Sequence, residues 1–378
     1  MKLKKALLVC LLPAFVIGGC GKTTTDETEN TTKQESAVEE TVQDEQETGD
    51  TETESEASGE DADKETEASK DLFAMDTYMT LTAYGEHAQE AVDKAAERVE
   101  ALDALLSTGN ENSEIYQLNQ NGEATLSEEG GYLVERALEL YKKTEGAFDI
   151  AIYPVMQAWG FPTQDYHVPD DDTLKEKLAL ADASKVNYDK DTRKIIFDQD
   201  GMEIDLGGIA KGYTSSQIMQ IYQDCGVTSG LVNLGGNVQA LGCKTDGSKW
   251  RVAIQSPDDT EEYLGILEIE DQAVITSGGY ERYFEEDGVT YHHIIDPATG
   301  YPADSGLISV TIVSDDGTLA DGLSTSLFIM GEEKAAQFWR ENSDEFEAIM
   351  ETSDGKLYVT EGIADSLTTD MDVTVIEK

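Results

Sequence analysis

Two hydrophobic periods divide the chain after about residue 70 into predicted helices and strands. Residues 78–84 have the β-branched and aromatic content that is typical of a strand. Residues 86–106 repeat Ala, Val and Leu at helical spacing, and Ser127 is placed to cap a second helix that runs to Lys143 and stops before Gly146. The same period predicts further helices over residues 172–181, 209–223, 319–329 and 333–340.

Short β-rich segments fill most of the second half of the chain. Gly, Asp or Ser turns join most of them, and such short connections favour antiparallel pairing. We therefore predict an α+β fold of largely antiparallel, mixed sheets flanked by helices, arranged as two lobes around a central cleft. The predicted strands are residues 194–198, 202–206, 230–234, 250–255, 263–269, 273–276, 280–284, 290–295 and 307–313, with strand-like segments near Lys356 and Met371.

The first 19 residues have the layout of an export signal. A basic start precedes an apolar run over residues 6–17, which is too short and too soon followed by polar sequence to span a membrane. Cys20 follows Ile-Gly-Gly, as in the bacterial lipoprotein box, in which that cysteine receives lipid. We expect residues 1–19 to be a lipoprotein signal peptide and Cys20 to anchor the protein at the extracytoplasmic face of the cell membrane. An ordinary signal peptide with an incidental cysteine is the alternative.

Residues 20–70 form a predicted disordered, acidic stalk that begins with the lipidated cysteine. Between residues 22 and 70, 18 Asp or Glu accompany only 4 Lys, with no aromatic residue and no Leu, Ile, Met or Phe. Such a segment buries too little apolar surface to offset its ordering entropy, and like charges keep it extended. The remainder, residues 71–378, is long enough for a substantial core and is the predicted folded domain.

The predicted folded domain is strongly acidic. Residues 71–378 contain 60 Asp or Glu against 20 Lys or Arg, in a chain whose formal net charge is −51. Because no Lys/Arg cluster offsets this charge, we expect no nucleic-acid partner. A phosphorylated small molecule would also be repelled unless a metal cation or a locally basic pocket reverses the field.

Cysteine usage leaves two interpretations open. The folded part contains Cys225 and Cys243 and no Cys-x-x-Cys spacing, so a zinc site is unsupported. Export permits a disulfide between the two, and a pair of free thiols fits the sequence equally well.

The segment Asp-Gly-Leu-Ser-Thr at residues 321–325 is a candidate metal site. Asp321 and Thr325 are four residues apart, so on a helix both can point at one ion. Carboxylate and hydroxyl oxygens suit Mg²⁺ or Ca²⁺ rather than zinc. The alternative is a carboxylate that stabilises a helix N-terminus, beside a threonine bonded to the helix backbone.

The segment Asp-Leu-Gly-Gly-Ile-Ala-Lys-Gly at residues 205–212 is a candidate anion site. It follows a predicted strand and opens a predicted helix, where free N–H groups and the helix dipole favour negative charge. Gly207 and Gly208 leave the backbone exposed, and Lys211 adds a cation. A tight turn from strand to helix, with no ligand, explains the glycines equally well.

Histidine is scarce, and the adjacent pair His292 and His293 is best placed for proton transfer. Neighbouring residues on a strand face opposite sides, so one of the two can face a pocket, and imidazole accepts protons near neutral pH. His87 lies in a charged stretch and His167 in an acidic loop, where we expect no such role. Residues 147–149 and 159–161 and Pro154 supply aromatic and apolar material that suits a flat ring ligand, with a core role as the alternative. Residues 233–237, 277–284 and 291–302 put small residues, which let the backbone approach a ligand, beside polar groups that could handle a phosphate or a proton.

In series, these segments resemble the ApbE family, the FAD:protein FMN transferases. The resemblance extends from about residue 71 to about residue 331. It rests on eight segments in order, at residues 75–77, 146–149, 159–161, 205–212, 233–237, 277–284, 292–300 and 321–328.

The resemblance implies an exported, often lipid-anchored enzyme with residues 71–378 as its catalytic domain around a flavin-nucleotide cleft. Such an enzyme splits the pyrophosphate of FAD, transfers the FMN half to a Thr or Ser hydroxyl of an acceptor flavoprotein, and releases AMP. The implied cofactor is Mg²⁺, with Ca²⁺ as the alternative. Acceptors of the family carry the motif Asp-x-x-(Ser/Thr)-Gly-Ala-(Ser/Thr).

The resemblance also implies roles for particular residues. His293 is the candidate base. The implied metal ligands are Asp321, Thr325 and the backbone carbonyl of Gly208, with Ser324 adjacent. The implied flavin and nucleotide contacts are Met75, Ala147, Phe148, Asp149, Asp205, Lys211 and His293. Two alternatives share the same site: an FAD pyrophosphatase that yields free FMN and AMP, and a flavin-binding lipoprotein without catalysis.

Overall fold

The computed structural model describes residues 66–257, 259 and 262–378. The predicted signal peptide, Cys20 and most of the predicted stalk lie outside the described residues, and those assignments stay predictions. Among the described residues, no helix has both the length and the apolar character needed to cross a membrane.

Six α-helices of the described part begin and end close to their predicted bounds, whereas the helices Glu114–Asn121 and Tyr153–Ala158 were not predicted. Ser127 caps α3 by accepting a hydrogen bond from the Gly130 N–H at 3.0 Å, and basic residues occupy the last turn up to Lys143, as the macrodipole favours. Three single-turn 3-10 helices cover Ile150–Ile152, Ala183–Lys185 and Ala364–Ser366. The α-helices are α1 (Ala88–Leu106), α2 (Glu114–Asn121), α3 (Glu128–Lys143), α4 (Tyr153–Ala158), α5 (Asp171–Leu178), α6 (Gly207–Asp224), α7 (Gly317–Met330) and α8 (Glu332–Glu341).

The strands are short, and hairpins or single helices connect most of them. They are β1 (Glu67–Ala74), β2 (Thr77–Tyr84), β3 (Glu123–Thr125), β4 (Val186–Asp189), β5 (Lys194–Phe197), β6 (Ser229–Leu234), β7 (Asn237–Leu241), β8 (Trp250–Gln255), β9 (Tyr263–Ile269), β10 (Ala273–Gly278), β11 (Tyr283–Glu286), β12 (Val289–His292), β13 (Leu307–Ser314), β14 (Glu347–Thr352), β15 (Leu357–Thr360), β16 (Leu367–Thr368) and β17 (Val373–Ile376).

A large mixed sheet organises the described residues. Its nine strands run in the order β1-β2-β6-β7-β10-β13-β14-β15-β17, and the smaller sheets are β11-β12, β16-β9-β8 and β3-β5-β4. Every pairing among these strands is antiparallel except that of β15 with β17. The predicted α+β fold with largely antiparallel sheets is therefore confirmed.

The main core lies between this sheet and the helix pair α6 and α7. Ile275 on β10 and Ile312 on β13 are buried together with Leu323 and Leu327 of α7 and Ile209 of α6. The two helices cross in close contact, and α7 lies over β10 and β13. The described residues belong to one compact unit, so the predicted division into two lobes is not confirmed.

One predicted strand and one predicted domain boundary are wrong. Residues 202–206 form no strand, because the backbone N–H and carbonyl of Ile204 both pair with the Asn119 side chain at 2.8 Å instead of a neighbouring strand. The folded part also begins before residue 71. Glu67–Lys70, which the prediction assigned to the stalk, belong to β1. Pairing with β2 buries Ala68 and satisfies the backbone hydrogen-bonding groups of these residues, an effect that composition does not reveal.

Other differences are smaller. The strand predicted over residues 280–284 begins only at Tyr283, and the strand predicted over residues 290–295 ends at His292. Cys225 and Cys243 are both free thiols, which decides against the disulfide.

Candidate active site

A cavity of about 490 Å³ lies where the N-terminal turn of α6 meets α7, the end of β10 and the turn between β1 and β2. Segments that are far apart in the sequence contribute to its wall, as the sequence analysis predicted for a single site. The predicted site residues that line it are Met75, Ala147, Phe148, Asp149, Asp205, Gly208, Lys211, His293, Asp321 and Thr325. Ser324 is the predicted site residue that does not line it.

Asp321 sits at the crossing of α6 and α7 and is buried. Its Oδ2 accepts a hydrogen bond from the Gly212 N–H at 2.8 Å, and its Oδ1 accepts one from Asn237 Nδ2 at 2.9 Å. These donors fix the carboxylate in one orientation. Because an ionised carboxylate has about four acceptor positions, two donors leave further lone pairs for a ligand in the cavity.

The Gly212 contact also changes the hydrogen bonding of Gly208. In a regular α-helix, the N–H of residue 212 is the partner of the carbonyl oxygen of residue 208. Here the Gly212 N–H donates to the Asp321 carboxylate, which therefore competes with the Gly208 carbonyl for this donor. Gly208 itself lines the cavity. The carbonyl is therefore an available oxygen donor beside the Asp321 carboxylate.

A chain of hydroxyl groups continues from Asp321 along α7. Ser324 Oγ donates to the Asp321 carbonyl at 2.8 Å, Ser277 Oγ lies 2.8 Å from Ser324 Oγ, and Ser277 Oγ lies 3.3 Å from Thr325 Oγ1. Ser277 and Thr325 line the cavity, whereas Ser324 is fully buried behind them. Ser324 therefore supports its neighbours in this arrangement, while Ser277 takes the exposed place that the sequence analysis gave to Ser324.

These donors fit a hard divalent cation. They are a carboxylate, hydroxyls and a backbone carbonyl, which are the ligands that Mg²⁺ and Ca²⁺ prefer. In the described part of the chain, no group of three or more His, Cys, Asp or Glu side chains is arranged to hold a metal.

The N-terminal turn of α6 supplies the positive end of the cavity. Asp205 accepts a hydrogen bond from the Gly207 N–H, and burial raises the pKa of Asp205, while Lys211 and Arg282 act in the opposite direction. Lys211 forms no ion pair with another described residue. Its ammonium is therefore available to an anion, whereas the N–H groups of Gly207, Ile209 and Ala210 in the first turn already donate to Asp205 or Leu206.

His293 lines the cavity, whereas its neighbour His292 does not, which agrees with the prediction that the two face opposite sides. His293 Nδ1 lies 3.1 Å from the carbonyl oxygen of Arg282, so Nδ1 carries the proton and Nε2 is the unprotonated acceptor. Burial and, to a smaller extent, the positive charges of Arg282 and Lys211 lower the pKa of His293 to about 3. The imidazole is therefore neutral at physiological pH.

Aromatic and carboxylate groups after α3 form the opposite wall. The Phe148 ring lies close enough to Gly208 that a Cβ there would come within 3.1 Å of it. Asp149 is buried, and its two oxygens accept the N–H groups of Ala151 at 2.7 Å and Ala183 at 3.1 Å. Burial raises the pKa of Asp149 to about 6 against these hydrogen bonds. Asp149 therefore anchors the wall as well as lining it.

Four cavity residues were not singled out from the sequence: Asn237, Ser277, Glu281 and Arg282. Glu281 is open to the cavity, yet the surrounding walls shield it from bulk water, and this desolvation raises its pKa to about 7. This value includes two smaller and opposing contributions: the charge of Lys211 lowers the pKa, and the charge of Asp321 raises it. All four lie in segments that the sequence analysis quoted. The sequence signal that could have identified them is a polar residue close to a pair of glycines, at residues 235–236 or 278–279.

Comparisons with known proteins agree with this geometry. The chain matches the family model described as the ApbE family over residues 75–350. An FAD:protein FMN transferase from Treponema pallidum (strain Nichols) is 35% identical over 296 residues, which covers 73% of this chain and 82% of that protein. One from Klebsiella pneumoniae (strain 342) is 34% identical over 262 residues, which covers 68% and 81%.

Solved structures share the fold. The crystal structure of the ApbE protein from Thermotoga maritima matches with a TM-score of 0.74 at 29% identity, covering 79% of this chain and 98% of that one. Antiparallel sheets with a cavity at the α6–α7 crossing thus place the protein in the flavin transferase fold class. The chain belongs to the ApbE family.

Proposed function

We propose that this protein transfers the FMN half of FAD to a Thr or Ser hydroxyl of an exported acceptor flavoprotein and releases AMP. The curated relatives named FAD:protein FMN transferase, which align with more than two thirds of the chain, support this activity. The observation that carries it is the set of oxygen donors around Asp321, which shares one cavity with Lys211 and His293.

Mg²⁺ is the proposed cofactor, with Ca²⁺ as the alternative. Asp321, Thr325 and the Gly208 carbonyl would hold it, and Ser277 is a further oxygen donor beside Thr325. A divalent ion there would add positive charge next to the pyrophosphate and the departing AMP.

The residues of the chain itself divide the remaining tasks. Lys211 and the N-terminal turn of α6 are placed to bind the phosphates, because both line the cavity, Lys211 forms no ion pair with another described residue, and the helix dipole favours an anion at this end. Met75, Ala147 and Phe148 offer apolar surface for the flavin ring on neighbouring parts of the wall.

His293 is the proposed base for the acceptor hydroxyl. Its neutral ring offers Nε2 as the proton acceptor, since Nδ1 is held by the Arg282 carbonyl. Burial is the main cause of its low pKa, and the negative charge of a bound pyrophosphate would oppose only the smaller contributions of Arg282 and Lys211.

Asp321→Ala tests the metal assignment. We expect FMN transfer to fall by at least about a hundredfold, because the carboxylate ligand is lost, while much of the FAD affinity remains. The assay incubates the protein with FAD, Mg²⁺ and a soluble carrier domain that displays Asp-x-x-Thr-Gly-Ala-Thr in a loop, and it measures protein-bound FMN. Calorimetric titration with Mg²⁺ gives a second readout.

Asp315→Ala is the matched control, because Asp315 is an exposed carboxylate just before the same helix. Thermal unfolding checks that Asp321→Ala still folds, and Asp321→Asn preserves the side-chain volume if it does not. FMN that appears only in solution with the wild-type protein would favour the pyrophosphatase, and FAD binding without turnover would favour the flavin-binding lipoprotein. Unchanged transfer by Asp321→Ala would remove the metal assignment.

The proposed location is the extracytoplasmic face of the cell membrane. It rests on the signal-like residues 1–19 and on Cys20, in a chain whose acidic residues 20–66 are suited to hold the catalytic part away from the membrane.

A further inference from the structure

Two exposed aromatic rings stand at the rim of the cavity, at the end of the β1–β2 hairpin. Phe73 is 61% exposed and Tyr78 is 70% exposed, the two largest exposures among the large hydrophobic side chains of the described residues. Their ring centroids are 5.0 Å apart in an edge-to-face arrangement. Phe73 lines the cavity, and Tyr78 lies directly opposite it in the strand register. We refer to Phe73 and Tyr78 as the aromatic pair.

The aromatic pair differs from the other cross-strand pairs on the same outer face of the hairpin. Farther from the cavity, Ser69 pairs with Thr82 through their hydroxyls at 3.1 Å, and Thr80 donates to Asp71 at 2.7 Å. Polar pairs of this kind are expected on a face that meets water. At the cavity end of this face both members of the pair are exposed aromatic rings, whereas at the far end Tyr84, opposite Glu67, packs against Trp250.

The hairpin presents the aromatic pair on a rigid support. Its two-residue turn places Met75 and Asp76 at φ values of 49° and 58°, as a tight hairpin turn requires. Thr77 packs so closely on Gly235 that a Cβ at that glycine would lie 2.1 Å from the threonine hydroxyl. Thr214 Oγ1 lies 3.8 Å from Met75 Sδ on the inner side. The rings are therefore held in place without a partner, which lowers the entropy cost of binding.

We propose that the aromatic pair is a docking surface for the acceptor protein, next to the Thr or Ser that enters the cavity. The proposal rests on the proposed function, because that reaction requires a second protein to cover the mouth of the cavity. A surface continuous with the mouth must then be in contact with that protein. Exposed, rigid aromatic side chains are the residues that most often carry the binding energy of such interfaces.

The charge of the chain favours an apolar contact for this purpose. With a formal net charge of −51, the protein repels acidic partners at long range. Ring contacts do not depend on the sign of the charge on the partner, so they hold an acceptor whose Asp-containing segment is itself acidic.

The test replaces both rings by threonine, as in the double variant Phe73→Thr/Tyr78→Thr. Threonine favours strands and pairs well across them, so the hairpin is preserved. We expect the KM for the carrier domain that displays Asp-x-x-Thr-Gly-Ala-Thr to rise about tenfold, while the Kd for FAD and the rate of FMN release into solution stay unchanged. Tyr263→Thr is the matched control, because Tyr263 is 54% exposed on β9 and does not line the cavity.

Each other outcome overturns the proposal. A weaker Kd for FAD in the double variant would assign the rings to the nucleotide. An unchanged KM, or a KM that changes equally in Tyr263→Thr, would assign them to the stability of the hairpin alone, and a thermal melt would measure that contribution. If the wild-type protein attaches no FMN to the carrier, the proposed function fails together with the docking surface. If the wild type and the double variant attach it equally well, only the docking surface fails.

Discussion

Two buried carboxylates in the cavity wall illustrate how one residue type serves two purposes. Asp321 receives its hydrogen bonds from Gly212 and Asn237, on other elements, and remains open to a ligand on one side. Asp149 receives its hydrogen bonds from the nearby Ala151 and Ala183 and fixes the loop after α3. The two acids therefore contribute to the site in different ways: Asp321 as a donor to a ligand, and Asp149 as a support for the wall.

Asp149 makes stability depend on pH in a defined direction. Its pKa is raised from 3.8 to about 6, mainly by burial, so the folded state binds its proton more tightly than the unfolded state does. Stability from this group is fully present below about pH 4 and is lost as the pH rises through about 6. We expect the free energy of unfolding of the wild type to fall, relative to Asp149→Asn, by about 2 kcal/mol between pH 4 and pH 7.

Denaturant unfolding of both proteins at half-unit steps of pH measures this difference. The comparison with Asp149→Asn isolates the one carboxyl, because all other titrating groups are shared. Asn retains an oxygen that can accept one of the two backbone N–H groups, so the variant remains foldable. A difference between the two proteins that is constant from pH 4 to pH 7 would contradict the assignment.

Residue spacing found part of the site, and tertiary contacts supplied the rest. The spacing of Asp321 and Thr325 on one helix face could be read from the sequence, because it depends only on the helical period. The exchange of Ser324 for Ser277 could not, because it depends on how β10 packs against α7. The raised pKa of Glu281 could not be read from the sequence either, since it arises from cavity walls contributed by several elements.

At the scale of elements, the crossing of α6 and α7 positions Asp321 and Gly208, the proposed metal donors. A Cβ on Gly212 would lie 2.0 Å from the Gly317 carbonyl oxygen and 2.6 Å from Asp321 Cβ. A Cβ on Gly317 would lie 2.7 Å from the Gly212 carbonyl oxygen. Glycine at both positions lets the helix backbones approach, and this approach allows the Gly212 N–H to reach the Asp321 carboxylate.

Gly212→Ala is therefore expected to destabilise the protein although alanine is the better helix former. Propensity alone would favour alanine by about 1 kcal/mol. The clash with backbone atoms of α7 has no flexible side chain to absorb it, so we expect a net loss of about 3 kcal/mol or more in the free energy of unfolding. Equilibrium unfolding in urea measures the loss, and Mg²⁺ titration shows whether the donors have separated.

Gly109→Ala is the control for this substitution. The nearest atom to a Cβ at Gly109 is Ser107 Oγ at 3.9 Å, and the backbone there has no positive φ. We expect that variant to unfold at nearly the wild-type urea concentration. Equal stability of Gly212→Ala and Gly109→Ala would mean that the helices do not need their close approach.

Element prediction succeeded where one period continued long enough. The bounds of β8 and β9 and the end of α3 at Lys143 agree with the predictions, because strong alternation or a capping residue marks them. The short α2 and β7 escaped notice, since eight and five residues carry too little periodic signal. The strand predicted over residues 202–206 was wrong although apolar residues alternate there. These apolar residues pack in the core, and the backbone N–H and carbonyl of Ile204 pair with the Asn119 side chain instead of a neighbouring strand.

At the scale of the whole molecule, the fold brings charged residues from distant parts of the chain into one cavity. The folded part is acidic, yet Lys211, Arg282 and the N-terminal turn of α6 line one cavity. Six carboxylates line the same cavity, so these two cations alone do not reverse the acidic field, and the proposed metal ion would add the missing positive charge. The order of nine strands in the main sheet was beyond the sequence, because one chain without further information does not reveal which strands pair across long connections.

The last prediction concerns the anchor, which involves Cys20 rather than the folded part. We expect wild-type protein, expressed with its own signal in a bacterial host, to sediment with membranes and to be released by detergent. Cys20→Ser should move it to the soluble fraction, because the acyl chains that hold it are lost. FMN transfer to a soluble acceptor should be unchanged, because the cavity is built from residues between Phe73 and Ile329.

Cys10→Ser is the matched control, since Cys10 lies in the apolar part of the signal and precedes the expected cleavage point. That variant should remain in the membrane fraction and incorporate labelled palmitate as the wild type does. Equal labelling of Cys20→Ser, or a wild-type protein found only in the soluble fraction, would replace the lipid anchor by an ordinary signal peptide. In that case the acidic residues after Cys20 would no longer be a spacer from a membrane, and the exported enzyme would diffuse to its acceptor.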